Sequence, residues 1–147
     1  MSEVDRYRLA PVRDARSREE RLRRGDLADA ASIARASEAQ VAAAAGRVAE
    51  ARAALEAART AQRELVTSGT TSLALSRTEQ FIVRRRRDLD AAIDAHARAE
   101  ASHRGQLDQV DAARNQLARA RADKEIIERH FTRWRTAKAR LAERRED

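Results

Sequence analysis

The chain has 147 residues, 42% of them apolar and 37% charged, with a net charge of +7. Of its 62 apolar residues 34 are Ala, which leaves 28 larger ones, too few to fill a compact multilayer core. The absence of cysteine excludes disulfides and thiolate metal sites, and no apolar run approaches the roughly 18 residues that a membrane span needs.

One Pro, four Gly and four aromatics among so many Ala, Arg, Glu, Asp and Leu match the bias of coiled coils and long helices. A disordered chain would carry more Pro, Ser and Gly and would lack apolar periodicity, and here periodicity is present. The N-terminal "MSEVDRYRLAP" has no apolar segment of the kind a secretory signal requires, so a cytoplasmic protein with no direct membrane insertion is expected. Basic residues exceed acidic ones by two over residues 1–70 and by five over the remainder, and all but Lys124 and Lys138 are Arg. A basic excess invites nucleic acid, but 24 acidic residues dilute it.

The first element is a helix over about residues 11–66. Val41, Ala44, Val48, Ala51, Leu55, Ala58, Gln62 and Leu65 step by three and four, as the seam of a coiled coil does. Upstream, Leu9, Val12, Ala15, Glu19, Leu22, Asp26, Asp29 and Ile33 keep similar spacing while accepting polar residues, which predicts a looser seam there. Pro11 is tolerated at the helix start, where its missing N–H would be unpaired in any case.

A turn follows over 67–73. Thr67, Ser68, Gly69, Thr70, Thr71 and Ser72 are helix-poor, and Gly69 suits a left-handed C-cap. The second helix runs over about 74–145, begun by the capping-box pattern Ser76-Arg77-Thr78-Glu79 or a turn earlier at Ser72. Its seam is read as Leu107, Val110, Arg114, Leu117, Ala120, Lys124, Ile127, Phe131, Trp134, Lys138 and Leu141. The predicted fold is all-α, a single long antiparallel two-helix coiled-coil hairpin over 1–147.

Folding about residue 70 sets position i opposite 140 minus i. Ile33 then meets Leu107, Leu22 lies near Leu117, Val12 faces Ile127 and Leu9 faces Phe131. Tyr7 arrives beside Trp134, so that Tyr7, Leu9, Phe131 and Trp134 form a structural cluster at the open end. Gly25, Gly46 and Gly105 cost about 1 kcal/mol each if helical.

No catalytic, cofactor or metal site is expected, nor a small-molecule substrate. His96 and His103 are about 10 Å apart along a helix, too far to share one metal ion. The carboxylates lie along solvent faces with no pocket, and no phosphate loop or nucleophile motif is present. "RRRR" at 84–87 must send at least one Arg along the seam. It reads either as a solvated segment beside Asp88 and Asp90 or as a contact for an anionic partner surface near the tip. Phe81, Ile82 and Val83 are consecutive and cannot all face the other helix, so the odd ones cover the turn or form a binding patch. In "KEIIERHFTRWRTAKARL", Glu128, Arg129, Arg133 and Arg135 are expected to stay outside and meet a partner.

An arm that starts "YRLAPVRDARSREER", a central turn, and a second arm that ends "KEIIERHFTRWRTAKARL" resemble the central stalk proteins of type III secretion systems, the YscO family, and their flagellar relative FliJ. The tip-proximal "EQFI" followed by "LDAAIDAH" is the most telling local similarity. The resemblance implies a γ-subunit-like cytoplasmic coiled coil, sited at the base of a membrane-embedded secretion machine. Its open end would enter the pore of the hexameric secretion ATPase, with Glu128, Arg129, Arg133 and Arg135 as contacts. Phe81, Leu89, Ala92 and His96 would meet the export gate, and secretion chaperones are further partners. The competing readings are a coiled-coil scaffold that escorts chaperones or substrates, and a basic nucleic-acid-binding arm.

Overall fold

The computed structural model describes residues 6–146. Two helices, α1 (Ala10–Ser68) and α2 (Ser72–Glu146), pair as an antiparallel helical hairpin. The pairing divides into two compact units: residues 33–107 around the turn, and the flanking residues up to 32 and from 108.

The turn is three residues long. Gly69 ends α1 with φ at 88°, a left-handed conformation that only Gly adopts without strain. Thr71 caps α2: its Oγ1 accepts the N–H of Ala74 at 3.2 Å and its carbonyl accepts that of Leu75 at 3.0 Å. The helix thus begins a turn before Ser76, because Thr71 already satisfies a first-turn donor and the later capping box is not needed. At the other end Pro11 is the second residue of α1, where no helical acceptor is owed to it.

In the unit around the turn, Val41, Ala44, Val48, Ala51, Leu55, Ala58, Gln62 and Leu65 are all buried or half-buried, as the spacing predicts. Leu55, Ala58 and Ile82 form its apolar centre, with Leu89 packed against them. Ser37 and His103 meet across the pair. The Ser37 hydroxyl donates its one proton to the Ala34 carbonyl at 2.8 Å, so Nδ1 of His103, 2.7 Å away, is the donor to Ser37.

The upstream seam of α1 differs from the expected one. Leu9, Val12, Leu22 and Ile33 are 37%, 42%, 57% and 53% exposed, and the inward row is Arg13, Glu20, Arg23, Leu27, Ala30, Ala34 and Ser37. This row continues the three-four spacing of the tip half backward from Val41 without a break. On α2, Gln106 and Ala113 turn inward in place of Leu107 and Arg114. The pairings of Ile33 with Leu107 and of Leu22 with Leu117 therefore do not form a buried seam. Beyond Trp134 every described residue of α2 is exposed, Lys138 and Leu141 included, since no described part of the first arm lies opposite.

The register itself is centred on residue 70. Arg13 meets Glu128, Arg16 meets Asp123, Glu20 meets Arg121, Arg23 meets Gln116 and Ser37 meets His103, each pair totalling within one of 140.

The glycines give a stability test of opposite signs. A Cβ at Gly46 would meet nothing within 4 Å and the backbone there is helical, so Gly46→Ala should stabilise by about 1 kcal/mol. A Cβ at Gly69 also has open space, but the left-handed backbone should cost Gly69→Ala about 1 to 2 kcal/mol. Urea denaturation of the two variants checks both signs.

Candidate functional site

Tyr7 organises the unit that contains the chain ends. It stands just before α1, where the Ala10 N–H bonds to the Tyr7 carbonyl at 3.1 Å, and its side chain lies across α2 with 7% of its surface exposed. Its ring centroid is 5.0 Å from Phe131, 5.1 Å from Trp134 and 5.7 Å from His130, and its hydroxyl shares a 2.8 Å hydrogen bond with Nδ1 of His130. Phe131 and Trp134 stack at 5.8 Å. One residue outside the helix thereby fastens α1 to α2, and edge-to-face and offset rings add to the area they bury. Leu9 was expected in this cluster, but it is 37% exposed, and the Arg13 guanidinium occupies the Phe131 face instead at 3.9 Å.

Next along the pair comes a layer of charges. Arg13 holds Glu128 in a two-pronged bond, 2.7 Å from Nε and 3.0 Å from Nη2. Planar guanidinium and carboxylate match in this geometry, which fixes both side chains. Glu128 is therefore half-buried and engaged by the first helix, where the sequence expectation placed it outside. Glu20 is 2% exposed, bonded to Arg24 at 2.5 Å and 3.6 Å from Arg121, and its Oε2 has no hydrogen-bond partner among the described residues. The bond from Arg24 holds the Glu20 carboxyl below its ordinary value despite the opposing effect of burial, and the Arg13 bond does the same for Glu128.

Lowered carboxyl values give a pH dependence of definite sign. In the unfolded chain these groups take up protons near 4.5, and in the folded chain only below that. Their contribution is fully present above 4.5 and disappears as pH falls through the folded values. Hydrogen exchange should show loosening of residues 13–27 and 117–128 on acidification below 4.5, which Glu20→Gln with Glu128→Gln should diminish.

The remaining candidates of this unit face outward. Arg129 pairs with Glu125 on its own helix, Arg135 lies 5.8 Å from the Phe131 ring, and Arg133 is exposed. A shallow groove runs beside the charged layer, lined by Pro11, Val12, Ala15, Arg119 and Asp123 among others.

In the unit around the turn, Phe81 is 40% exposed with Arg85 at 4.9 Å and Arg84 at 5.8 Å over its ring. Ile82 points inward and Val83 is 45% exposed, so the apolar triplet divides between seam and surface. Leu89, Ala92 and His96 continue the inward row from Ile82 and are half-buried, with His96 Nε2 3.8 Å from Glu100. The structure thus separates Phe81, which is presented to solvent, from the other three residues, which face the first helix. Arg85 is the Arg of the four that lies along the seam, 3.5 Å from Asp88.

Among the described residues no group of three His, Asp or Glu side chains could hold a metal ion, and no helix is long and apolar enough to cross a membrane. The molecule defined by this geometry is a helical-hairpin protein whose distinctive features are surfaces. A solved structure has the same fold: CT670 of Chlamydia trachomatis, described as a proposed YscO homolog, superposes with a TM-score of 0.82 at 16% identity, covering 96% of this chain and 87% of that one. The chain is therefore YscO-like in fold. No family model matches the sequence, and no curated protein matches it.

Proposed function

We propose that the chain is a type III secretion stalk of the YscO/FliJ family, a non-enzymatic cytoplasmic protein that inserts into the pore of the hexameric secretion ATPase, stimulates it and couples it to the export gate. The observation that carries this reading is the fold likeness to the YscO-like protein over 96% of this chain and 87% of that one. The end fastened by Tyr7 is the part proposed to enter the ATPase pore, where Arg129, Arg133 and Arg135 remain available on the surface. Phe81 is the leading candidate for the gate contact, with Leu89, Ala92 and His96 reached at the edge of the seam.

A two-helix body cannot match a six-fold ring, so it touches some subunits at a time and distinguishes between their states. Exposed charge contacts are worth around 0 to 1 kcal/mol each and are screened by salt, which suits a contact that must be broken repeatedly. Native mass spectrometry of the complex should show one copy per six ATPase chains, and rising salt should release it. Binding undiminished in about 0.5 M salt would contradict a charge-dominated pore contact.

A further inference from the structure

The unit around the turn carries a basic face that the stalk reading does not use. Leu73, Arg77, Gln80, Arg84 and Arg87 step by four, three, four and three along the start of α2, so they form one row. All five are exposed, and they lie on the side of the helix away from Ile82 and Leu89. Val83, 45% exposed, borders the row, and Leu73 is 61% exposed at its tip end. No carboxylate stands in the row. The nearest, Asp88, is 3.5 Å from Arg85, and among the described residues none lies within 4 Å of Arg77, Arg84 or Arg87.

From this arrangement we infer that the outward face of α2 next to the turn docks on an anionic phospholipid surface, with Arg77, Arg84 and Arg87 at the headgroups and Leu73 and Val83 dipping into the interface. Apolar side chains set among arginines on one helical face suit a membrane boundary, because the long Arg stems reach past the apolar groups to the phosphates. An acidic protein would be served by the charges alone and leaves exposed Leu73 and Val83 unused. Nucleic acid binding of this kind draws on several stacking aromatics, and Phe81, 40% exposed with Arg84 and Arg85 beside its ring, is the one aromatic nearby. The contact is peripheral and independent of the stalk reading.

Vesicle flotation of the full chain tests it, with pure phosphatidylcholine against phosphatidylcholine containing about a third phosphatidylglycerol. Binding is expected only to the anionic vesicles and should fall as salt rises. Each basic residue at such a surface contributes about 1 kcal/mol, so Arg77→Gln, Arg84→Gln and Arg87→Gln together should lower partitioning about a hundredfold. Removing equal charge from the other unit, with Arg114→Gln, Arg119→Gln and Arg129→Gln, should leave most of it. Leu73→Ser with Val83→Ser should also weaken it while leaving the salt dependence. Equal binding to neutral vesicles, equal loss in both triple variants, or tight oligonucleotide binding through these arginines with no vesicle binding would each overturn the inference. Where a triple variant loses helicity, the single variants Arg77→Gln, Arg84→Gln and Arg87→Gln replace it, each expected to weaken partitioning about fivefold, and no loss in any of them overturns the inference.

Discussion

Replacing Tyr7 and Trp134 together by alanine is expected to open the end of the hairpin that holds the chain ends, and to abolish ATPase stimulation with it. Tyr7 is 7% exposed, its ring meets His130, Phe131 and Trp134, and it is the residue that fastens the start of α1. Truncating a buried aromatic costs about 3 to 5 kcal/mol, and here the cost falls on a segment that can fray alone. Hydrogen exchange should therefore report lost protection over residues 10–20 and 120–134, with residues 33–107 unchanged. Full stimulation by the double variant would remove the role proposed for this end. Tyr7→Phe separates ring from hydroxyl: it keeps the packing, loses the His130 bond and should retain most of the stimulation.

Glu20→Leu is expected to raise the thermal midpoint, by about 5 °C, whereas Glu20→Ala should lower it. Glu20 is buried at an inward position of α1, yet one of its oxygens has no partner among the described residues. Its cations, Arg24 and Arg121, are each 60% exposed and stay hydrated without it. A leucine there gives up ion pairs that outweigh the desolvation of the carboxylate but fills an inward position with apolar area, an exchange that commonly favours the apolar residue, whereas alanine removes the ion pairs and leaves a void. The leucine variant should also lose part of the acid sensitivity, because Glu20 no longer titrates. A lower midpoint for Glu20→Leu would mean that the ion pairs are worth more than the apolar area the leucine adds.

The outcome at Glu20 also explains which parts of the fold were legible in the sequence. From Val41 to Leu65 the inward positions are Val, Leu and Ala with the single exception of Gln62, so apolarity and position coincide and that row reads directly. In the other half Arg13, Glu20 and Arg23 occupy inward positions while Val12, Leu22 and Ile33 lie outside. Reading by apolarity there selects the wrong face, displaced by one residue. Unbroken spacing from Val41 backward through Ser37, Ala34, Ala30 and Leu27 reaches Glu20 and Arg13, so the signal was in the period and not in the residue types. Long Arg and Glu stems can cover a seam while their charged ends pair or reach water, which is why polarity does not exclude these positions.

The aromatic cluster was legible because a tight turn at Gly69 fixes the register of everything opposite. The engagement of Glu128 by Arg13 was not, since both are ordinary surface residue types and only their mutual geometry makes them a pair. The basic row of Arg77, Arg84 and Arg87 was likewise hidden, because "RRRR" at 84–87 by itself points in every direction. Only knowing that Ile82 and Leu89 face inward shows that Arg84 and Arg87 join Arg77 on one face.

ATP turnover by the cognate secretion ATPase, measured with its hexamer fraction and with this protein added at one copy per six chains, tests the central claim most directly. The stalk account predicts a several-fold rise in turnover at that ratio, accompanied by more hexamer. No change in either quantity, with the protein shown to be folded, would contradict it.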